Sequence, residues 1–225
     1  AGDIAAISPV PSPLRDIYAA NSGTIVHKWH HYIPLYERYF SQFRGTDFKF
    51  LEIGVFKGGS LDMWRSYFGD AATITGIDID PTCARFDGKS ANVRIGSQDD
   101  PAFLAQTVDE MGGIDLVLDD GSHHMGHIRT SLATLFPLLA DGGVYMIEDL
   151  HTCYWPQFGG DLRGRGTVYD DIRRLIDDMH TPYTLDGTQP ISFGDQIAGI
   201  HVHDSVVVLE KKTPRPPVHS KVGGV

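Results

Sequence analysis

Two short acidic clusters each follow a run of apolar residues that is typical of a buried strand. The first is LDDGSHH at 118–124, and the second is IED at 147–149. If the two strands are neighbours in a parallel sheet, their carboxylates and a histidine meet at one edge, where carboxylates tolerate one another only beside a cation. Oxygen ligands without cysteine suit a hard divalent cation. The pattern therefore predicts a metal-assisted site.

Helix capping is the structural alternative for these acids. Asp119 or Ser122 could cap a helix that begins near His124. Capping explains one acid, but it does not explain acids at the ends of two strands. We therefore favour the metal site.

Strands and helices alternate through the middle of the chain. The predicted strands cover 48–53, 73–79, 93–95, 114–118 and 143–147, and the predicted helices cover 61–68, 102–111 and 127–139. This alternation predicts a Rossmann-like, doubly wound α/β fold, whose sheet binds ligands at the carboxyl ends of its parallel strands. Two further runs, 197–203 and 205–211, lie too close for a crossover helix and predict a C-terminal antiparallel hairpin. The expected sheet is mostly parallel and has seven strands.

The predicted catalytic domain covers 46–211, and three other segments flank it. Residues 1–13 are rich in proline and small residues and predict a flexible arm, and residues 212–225 predict a flexible tail. Between the arm and the domain, 14–45 is predicted to be a helical segment that covers the sheet or forms a lid. Aromatic residues recur there at intervals of three and four over 27–43, which favours a single helix with one aromatic face.

A glycine-rich loop, LEIGVFKGGS at 51–60, follows the first strand. Glycines there let the backbone approach a ligand that faces the N–H groups of the next helix. The spacing is not the GxGxxG of dinucleotide sites, and Glu52 would repel a pyrophosphate while favouring an amino group or a sulfonium. Cofactor contacts are expected from Glu52, Gly54, Gly58 and Ser60.

The ends of later strands carry polar groups that are placed to contact the same nucleotide-like ligand. Asp78 is placed to accept hydrogen bonds from ribose hydroxyls, and Ser97 and Gln98 are placed to bind an adenine edge. Asp119 alternates to the opposite side of its strand from Asp120, toward the cofactor. An ordinary strand-to-helix turn would explain any one of these groups, but it explains their succession poorly.

Composition and charge narrow the class of partner. The 225 residues carry 19 basic and 29 acidic side chains, a formal net charge of −10. That charge argues against nucleic acid or an anionic membrane as the main partner and favours a small-molecule substrate. The two cysteines lack metal-site spacing and suit buried thiols in a reducing cytoplasm. A cytoplasmic protein is expected.

The chain resembles the class I S-adenosylmethionine-dependent methyltransferases and, more narrowly, the metal-dependent sugar O-methyltransferases that tailor macrolides. The shared motifs are EIGV at 52–55, GGSL at 58–61, DDGSH at 119–123, and IED at 147–149 followed by YWP at 154–156. This resemblance, which runs from about Thr24 to Lys211, implies S-adenosylmethionine and Mg²⁺ as cofactors. The implied acceptor is a deoxysugar hydroxyl, either on a glycosylated natural product or on a nucleotide sugar. A homo-oligomer is also expected.

The resemblance also assigns the reacting groups. Asp120, Glu148 and Asp149 correspond to the metal ligands of the family motif, and His123 corresponds to the base that takes the proton of the acceptor hydroxyl. His124 follows directly and is the alternative base.

The substrate side is expected from aromatic residues near the second acidic cluster. Tyr154 and Trp155 lie in a glycine-rich segment, 152–166, that suits a flap over a sugar, and His124 is expected to contact the substrate as well. Two other functions stay open. Chelation would serve a catechol or another vicinal diol equally well, and a non-catalytic nucleotide-binding module could use the same fold.

Overall fold

The computed structural model describes residues 11–224, and within them seven strands form one sheet. The strands are β1 (Lys49–Ile53), β2 (Thr73–Asp78), β3 (Asn92–Ile95), β4 (Ile114–Asp119), β5 (Leu139–Ile147), β6 (Ile197–His203) and β7 (Val206–Lys211). Their order is β3-β2-β1-β4-β5-β7-β6, with β1 to β5 parallel and β7 antiparallel to both β5 and β6. The predicted fold class and the C-terminal hairpin are confirmed.

Helices cover both faces of this sheet. They are α1 (Pro13–Ala20), α2 (Ile33–Phe40), α3 (Gly59–Phe68), α4 (Pro101–Met111), α5 (Met125–Leu135) and α6 (Val168–Met179). The first three share one apolar core with one face of the sheet, and the last three share a second core with the other face. No helix within 11–224 combines the length and the apolar character that crossing a bilayer requires.

One predicted helix ends earlier than expected, and helix α6 was not predicted. The helix expected over 127–139 ends at Leu135, because Pro137 lies in a following 3-10 turn and Leu139 already begins β5. Helix α6 carries apolar side chains at Val168, Ile172 and Leu175, all of them buried on its inner face. That spacing is a readable helical signal that the sequence analysis did not use.

The N-terminal segment differs from the single helix expected over 27–43. The chain has no regular secondary structure over 24–29 and then forms a 3-10 turn at His30–Tyr32 and helix α2. Tyr36, Tyr39 and Phe40 are buried against the sheet as expected, whereas Trp29 precedes the helix and is about half exposed. Of the predicted arm, residues 1–10 lie outside the described residues, and α1 begins at Pro13 behind its cap, Ser12.

The register of the central strands aligns the ends that carry the polar motifs. Leu118 pairs with Met146 and Asp119 pairs with Ile147 across β4 and β5. Beyond β4, the N–H of Asp120 donates to the carbonyl oxygen of Ile53 at 3.0 Å. The end of β4 is thereby fixed beside both the glycine loop and the second acidic cluster.

Candidate active site

Two adjoining cavities open at the carboxyl edge of the parallel strands. The larger has a volume of about 440 Å³, and the smaller has a volume of about 230 Å³. Phe56, Asp120 and Gly121 line both cavities. Of the predicted cofactor residues, those that line the larger cavity are Gly54, Asp78, Ser97 and Gln98.

The glycine loop touches the end of β4 so closely that Gly54 can have no side chain. Its φ is +100°, and a Cβ built there would lie 2.1 Å from the carbonyl oxygen of Asp120. Gly58 also has a left-handed φ, +77°, and a Cβ there would lie 2.7 Å from the ring of Phe86. The loop thus depends on glycine for both close approach and backbone conformation.

Asp78 holds the same loop from the end of β2. One of its carboxylate oxygens accepts from the N–H groups of Val55 and Phe56, each at 2.9 Å, and the other accepts from the N–H of Asp80 at 2.9 Å. The carboxylate therefore fixes the loop while it lines the larger cavity.

Glu52 and Ser60 lie beneath the loop and line neither cavity, which corrects the expectation of direct cofactor contact. Glu52 is fully buried and accepts hydrogen bonds from Ser60 Oγ at 2.8 Å and from Trp64 Nε1 at 2.9 Å. Burial raises the pKa of Glu52 to about 7, although the nearby Lys28 ammonium acts in the opposite direction. Both residues support the loop from the core side.

Asp119 is also an internal anchor, and it neither lines a cavity nor caps a helix. It is buried and accepts from Gln98 Nε2 at 3.1 Å, Ser131 Oγ at 2.5 Å and Tyr145 OH at 3.0 Å. Burial raises the pKa of Asp119, and these three donors oppose the rise. Helix α5 is capped by His124, whose Nδ1 accepts from the N–H of Gly126. The capping alternative for Asp119 is therefore wrong.

The smaller cavity contains the acidic centre, which we define as Asp120, His123, Glu148 and Asp149. Ligand atoms of Asp120, His123 and Asp149 all lie within 4.8 Å of one another. His123 Nε2 is 3.8 Å from Asp120 Oδ1 and 3.5 Å from Asp149 Oδ2. His123 and Asp149 have φ values of +56° and +54°, an uncommon conformation for residues other than glycine that is often found at functional sites.

Glu148 is the deepest member of the acidic centre and lies outside that group of three ligand atoms. Its carboxylate is buried and accepts from Tyr36 OH, and Lys28 Nζ lies 3.2 Å from its Oε2. Burial is the main cause that raises the pKa of Glu148, to about 8, and the nearby Asp120 carboxylate contributes in the same direction.

Three side chains from the N-terminal segment contact the acidic centre, and none of them was predicted to lie there. Lys28 Nζ is 2.6 Å from Asp120 Oδ2, Tyr32 OH donates to Asp149 Oδ1 at 2.7 Å, and Tyr36 donates to Glu148. Their spacing of four residues was a signal for a shared face. The sequence held no sign that this face meets strand ends 92 to 120 residues away.

The expected substrate residues separate into two groups. Trp155 belongs to an aromatic rim, because its ring lies 4.8 Å from that of His151, which in turn lies 6.1 Å from Trp29. His124 lines neither cavity and its ring lies 4.9 Å from that of His127, and the ring of Tyr154 lies 6.1 Å from that of Tyr169. The expected substrate roles of His124 and Tyr154 have no support in this geometry.

The donor set of the acidic centre fits a hard divalent cation. Asp120 and Asp149 present carboxylate oxygens to one point, with a third carboxylate, Glu148, beside them. Small hard cations such as Mg²⁺ prefer oxygen donors of this type. The imidazole Nε2 of His123 belongs to the same group of converging ligand atoms as the carboxylate oxygens of Asp120 and Asp149.

Comparisons with known proteins agree with this architecture. Residues 51–150 match the family model described as a methyltransferase domain. A solved structure, the MycE methyltransferase of the mycinamycin biosynthetic pathway in complex with Mg, SAH and mycinamycin VI, superposes with a TM-score of 0.76 at 35% identity. This chain has the class I methyltransferase fold. The superposition with MycE covers 88% of this chain and 52% of the MycE chain.

Two curated relatives that are similar to this chain are named as sugar O-methyltransferases. A tetracenomycin-C rhamnosyl 3'-O-methyltransferase of Streptomyces olivaceus is 37% identical over 213 residues, which cover 89% of this chain and 54% of the relative. Mycinamicin VI 2''-O-methyltransferase of Micromonospora griseorubida is 38% identical over 194 residues, which cover 81% of this chain and 48% of the relative. The chain resembles the macrolide sugar O-methyltransferases, and it spans about half the length of these relatives.

Proposed function

We propose that this chain is an S-adenosylmethionine-dependent, Mg²⁺-assisted O-methyltransferase that acts on a deoxysugar hydroxyl of a glycosylated natural product. The observation that carries this proposal is the contact between the two cavities, which share Phe56, Asp120 and Gly121. A nucleotide-type cavity thus opens directly onto carboxylates and a histidine. Methyl transfer requires that adjacency, because donor carbon and acceptor oxygen must meet in line.

In this proposal, the larger cavity holds the cofactor. Gly54 lets the backbone approach it, Asp78 faces the ribose, and Ser97 and Gln98 face the adenine. S-adenosylmethionine, when bound, supplies a methyl group on a cationic sulfur. The absence of the dinucleotide glycine pattern agrees with a cofactor that lacks a pyrophosphate.

Asp120, Glu148 and Asp149 are the proposed metal ligands, and His123 is the proposed base. Mg²⁺, when bound, lowers the pKa of a coordinated hydroxyl. His123 Nε2 takes the hydroxyl proton, and the Asp120 and Asp149 carboxylates, at 3.8 and 3.5 Å, stabilise the imidazolium that results. Tyr32 and Tyr36 orient the carboxylates of Asp149 and Glu148 through their hydroxyl groups.

The acceptor is proposed to be a finished glycoside rather than a sugar nucleotide. Exposed rings of Trp29, Phe56 and Trp155 offer apolar faces on which a deoxysugar and its aglycone can pack. A sugar nucleotide would need a cation for its diphosphate, but Arg165 in the glycine-rich segment 152–166 lies 3.6 Å from Asp161 of its own loop and does not line the smaller cavity. The named relatives that act on rhamnosyl-tetracenomycin and mycinamicin support the same choice. A homo-oligomer remains an expectation from the resemblance.

The test is methyl transfer from labelled S-adenosylmethionine to a panel of acceptors. The panel contains a rhamnosylated polyketide, a macrolide carrying a deoxysugar, a nucleotide deoxysugar and a catechol. We expect transfer to a glycoside, loss of transfer after exhaustive chelation, and recovery on addition of Mg²⁺. Full activity in a chelated sample would refute the metal role, and exclusive methylation of the catechol would refute the sugar acceptor.

A further inference from the structure

Lys28 is the buried cation of the acidic centre. Its side chain is 3% exposed, and its Nζ lies 2.6 Å from Asp120 Oδ2 and 3.2 Å from Glu148 Oε2. The ring of Tyr36 lies 5.6 Å from the same ammonium. Two carboxylates thus share one lysine, at two of the three positions that the family resemblance assigns to metal ligands.

A divalent cation and an ammonium ion compete for the same carboxylate oxygens. Both are attracted by Asp120, and both repel each other more strongly in a buried site than in water, because the low dielectric screens charges poorly. Lysine is suited to such competition, because its charge sits at the end of a flexible four-carbon stem. Lys28 lies outside every strand, so a movement of its side chain breaks no hydrogen bond of the sheet.

The segment that carries Lys28 also lies against the start of α3, beside the glycine loop. Thr24 Oγ1 donates to Asp62 Oδ2 at 2.6 Å, and a Cβ built on Gly59 would lie 2.3 Å from the carbonyl oxygen of Ile25. Residues 24–29 have no regular secondary structure. Lys28 thus connects residues 24–29, which lie beside the glycine loop, to the carboxylates of the acidic centre.

We propose that Lys28 is a positioning residue whose ammonium holds the metal-free acidic centre together and leaves Asp120 when a divalent cation binds. The proposal rests on the proposed function for the existence of a metal site. Metal occupancy and the position of residues 24–29 are then linked, and linkage is reciprocal: whatever releases Lys28 also tightens metal binding. The neighbouring Trp29 is carried along with Lys28.

The affinity test compares wild type with Lys28→Met by calorimetric titration with MgCl₂ alone. We expect Mg²⁺ to bind the variant at least about tenfold more tightly, a typical size for coupling between two sites. Lys28→Gln, which removes the charge but can still donate a hydrogen bond, has the same expected result and serves if Lys28→Met fails to fold. Lys221→Met removes an exposed lysine at the same cost in net charge and is expected to leave the affinity unchanged.

The position test uses ¹⁹F NMR of protein labelled with 5-fluorotryptophan. In wild type the Trp29 resonance should shift on saturation with Mg²⁺, whereas in Lys28→Met it should already lie near the metal-bound position and respond little.

The outcomes separate this inference from the proposed function. If wild type binds Mg²⁺ and Lys28→Met binds it with the same or lower affinity, the role of Lys28 is refuted while the metal site stands. The displacement is also refuted if the Trp29 resonance of metal-free Lys28→Met coincides with that of metal-free wild type. If neither protein binds Mg²⁺, the metal role and the role of Lys28 both fail.

Discussion

The two adjoining cavities are built in opposite ways. The larger one is shaped mainly by backbone: Gly54 permits a close approach, and Asp78 is occupied by three main-chain N–H groups. The smaller one is shaped by carboxylates and a histidine, and two of these side chains, His123 and Asp149, lie on left-handed backbone. The larger cavity is therefore defined mainly by main-chain geometry, and the smaller one is defined by the positions of its carboxylates and histidine.

The two cavities also differ in how far apart in the sequence their residues lie. The residues expected to hold the cofactor lie between 52 and 119, mostly at the ends of successive strands of one compact unit. The acidic centre combines the ends of β4 and β5 with an N-terminal segment whose Lys28 is separated from Glu148 by 120 residues. We expect a substitution at one cavity to leave binding or chemistry at the other cavity unchanged, except at the residues that line both.

The largest expected effect is a loss of turnover, and it comes from a substitution in the acidic centre. His123→Ala should lower turnover by about 10²- to 10⁴-fold, the usual worth of a general base, because His123 Nε2 lies beside both Asp120 and Asp149, whereas His151 Nδ1 lies 3.9 Å from Asp149 on the side of its other carboxylate oxygen. Cofactor affinity, measured by calorimetry, should be unchanged. The measurement is single-turnover methyl transfer at saturating cofactor.

His124→Ala is the matched control for that experiment. Its imidazole caps α5 and stacks on His127, so its loss should affect stability more than chemistry. A large loss of turnover in His124→Ala with little loss in His123→Ala would reverse the assignment of the base.

The next effect tests the point where the two cavities touch. Gly54→Ala places a methyl group 2.1 Å from the carbonyl oxygen of Asp120, so the loop and the end of β4 must separate. Gly69→Ala is the control, since Gly69 has a similar φ of +87° but nothing within 4 Å of the added Cβ. Backbone strain should cost Gly69→Ala about 1–3 kcal/mol of unfolding free energy. The clash should cost Gly54→Ala at least about 2 kcal/mol more in urea denaturation.

Gly54→Ala should also weaken both cofactor and Mg²⁺ binding, because the displaced Asp120 lines both cavities. Equal stability losses in the two glycine variants would show that the close approach is relaxed in solution.

Most of the fold could be predicted from the sequence, because its signals are local. Alternating apolar runs and amphipathic segments located all seven strands, and the short link between 197–203 and 205–211 gave the antiparallel hairpin. The errors also have local causes. Pro137 ended a helix that periodicity alone extended, and the irregular stretch at 24–29 was included in a helix because Trp29 fitted the aromatic spacing of the residues that follow.

The site was less predictable where burial and distant partners decide a side chain's role. Glu52 and Asp119 lie near the ends of β1 and β4, and Ser60 lies in the first turn of α3, yet all three form hydrogen bonds on the core side and line neither cavity. The sequence shows that an acid follows a strand, but it does not show which acids stay open to a cavity. The contact of Lys28 with Asp120 and Glu148 depends on how the irregular segment 24–29 packs against strand ends that lie 92 and 120 residues away in the sequence.

The smallest expected effect tests whether Asp119 is an anchor for the larger cavity or a cofactor ligand. Tyr145→Phe removes the hydroxyl that donates to Asp119 at 3.0 Å and leaves the donors from Gln98 and Ser131 in place. Losing one hydrogen bond to a buried acid should lower the unfolding free energy by about 1–2 kcal/mol. Tyr154→Phe, which removes a hydroxyl from a half-exposed ring, is the control and should have little effect. Because Asp119 lies beneath Gln98 and outside the cavity lining, cofactor affinity in Tyr145→Phe should stay close to wild type. A large loss of cofactor affinity without a loss of stability would instead make Asp119 part of the binding surface, and the larger cavity would then depend on buried charge as the smaller one does.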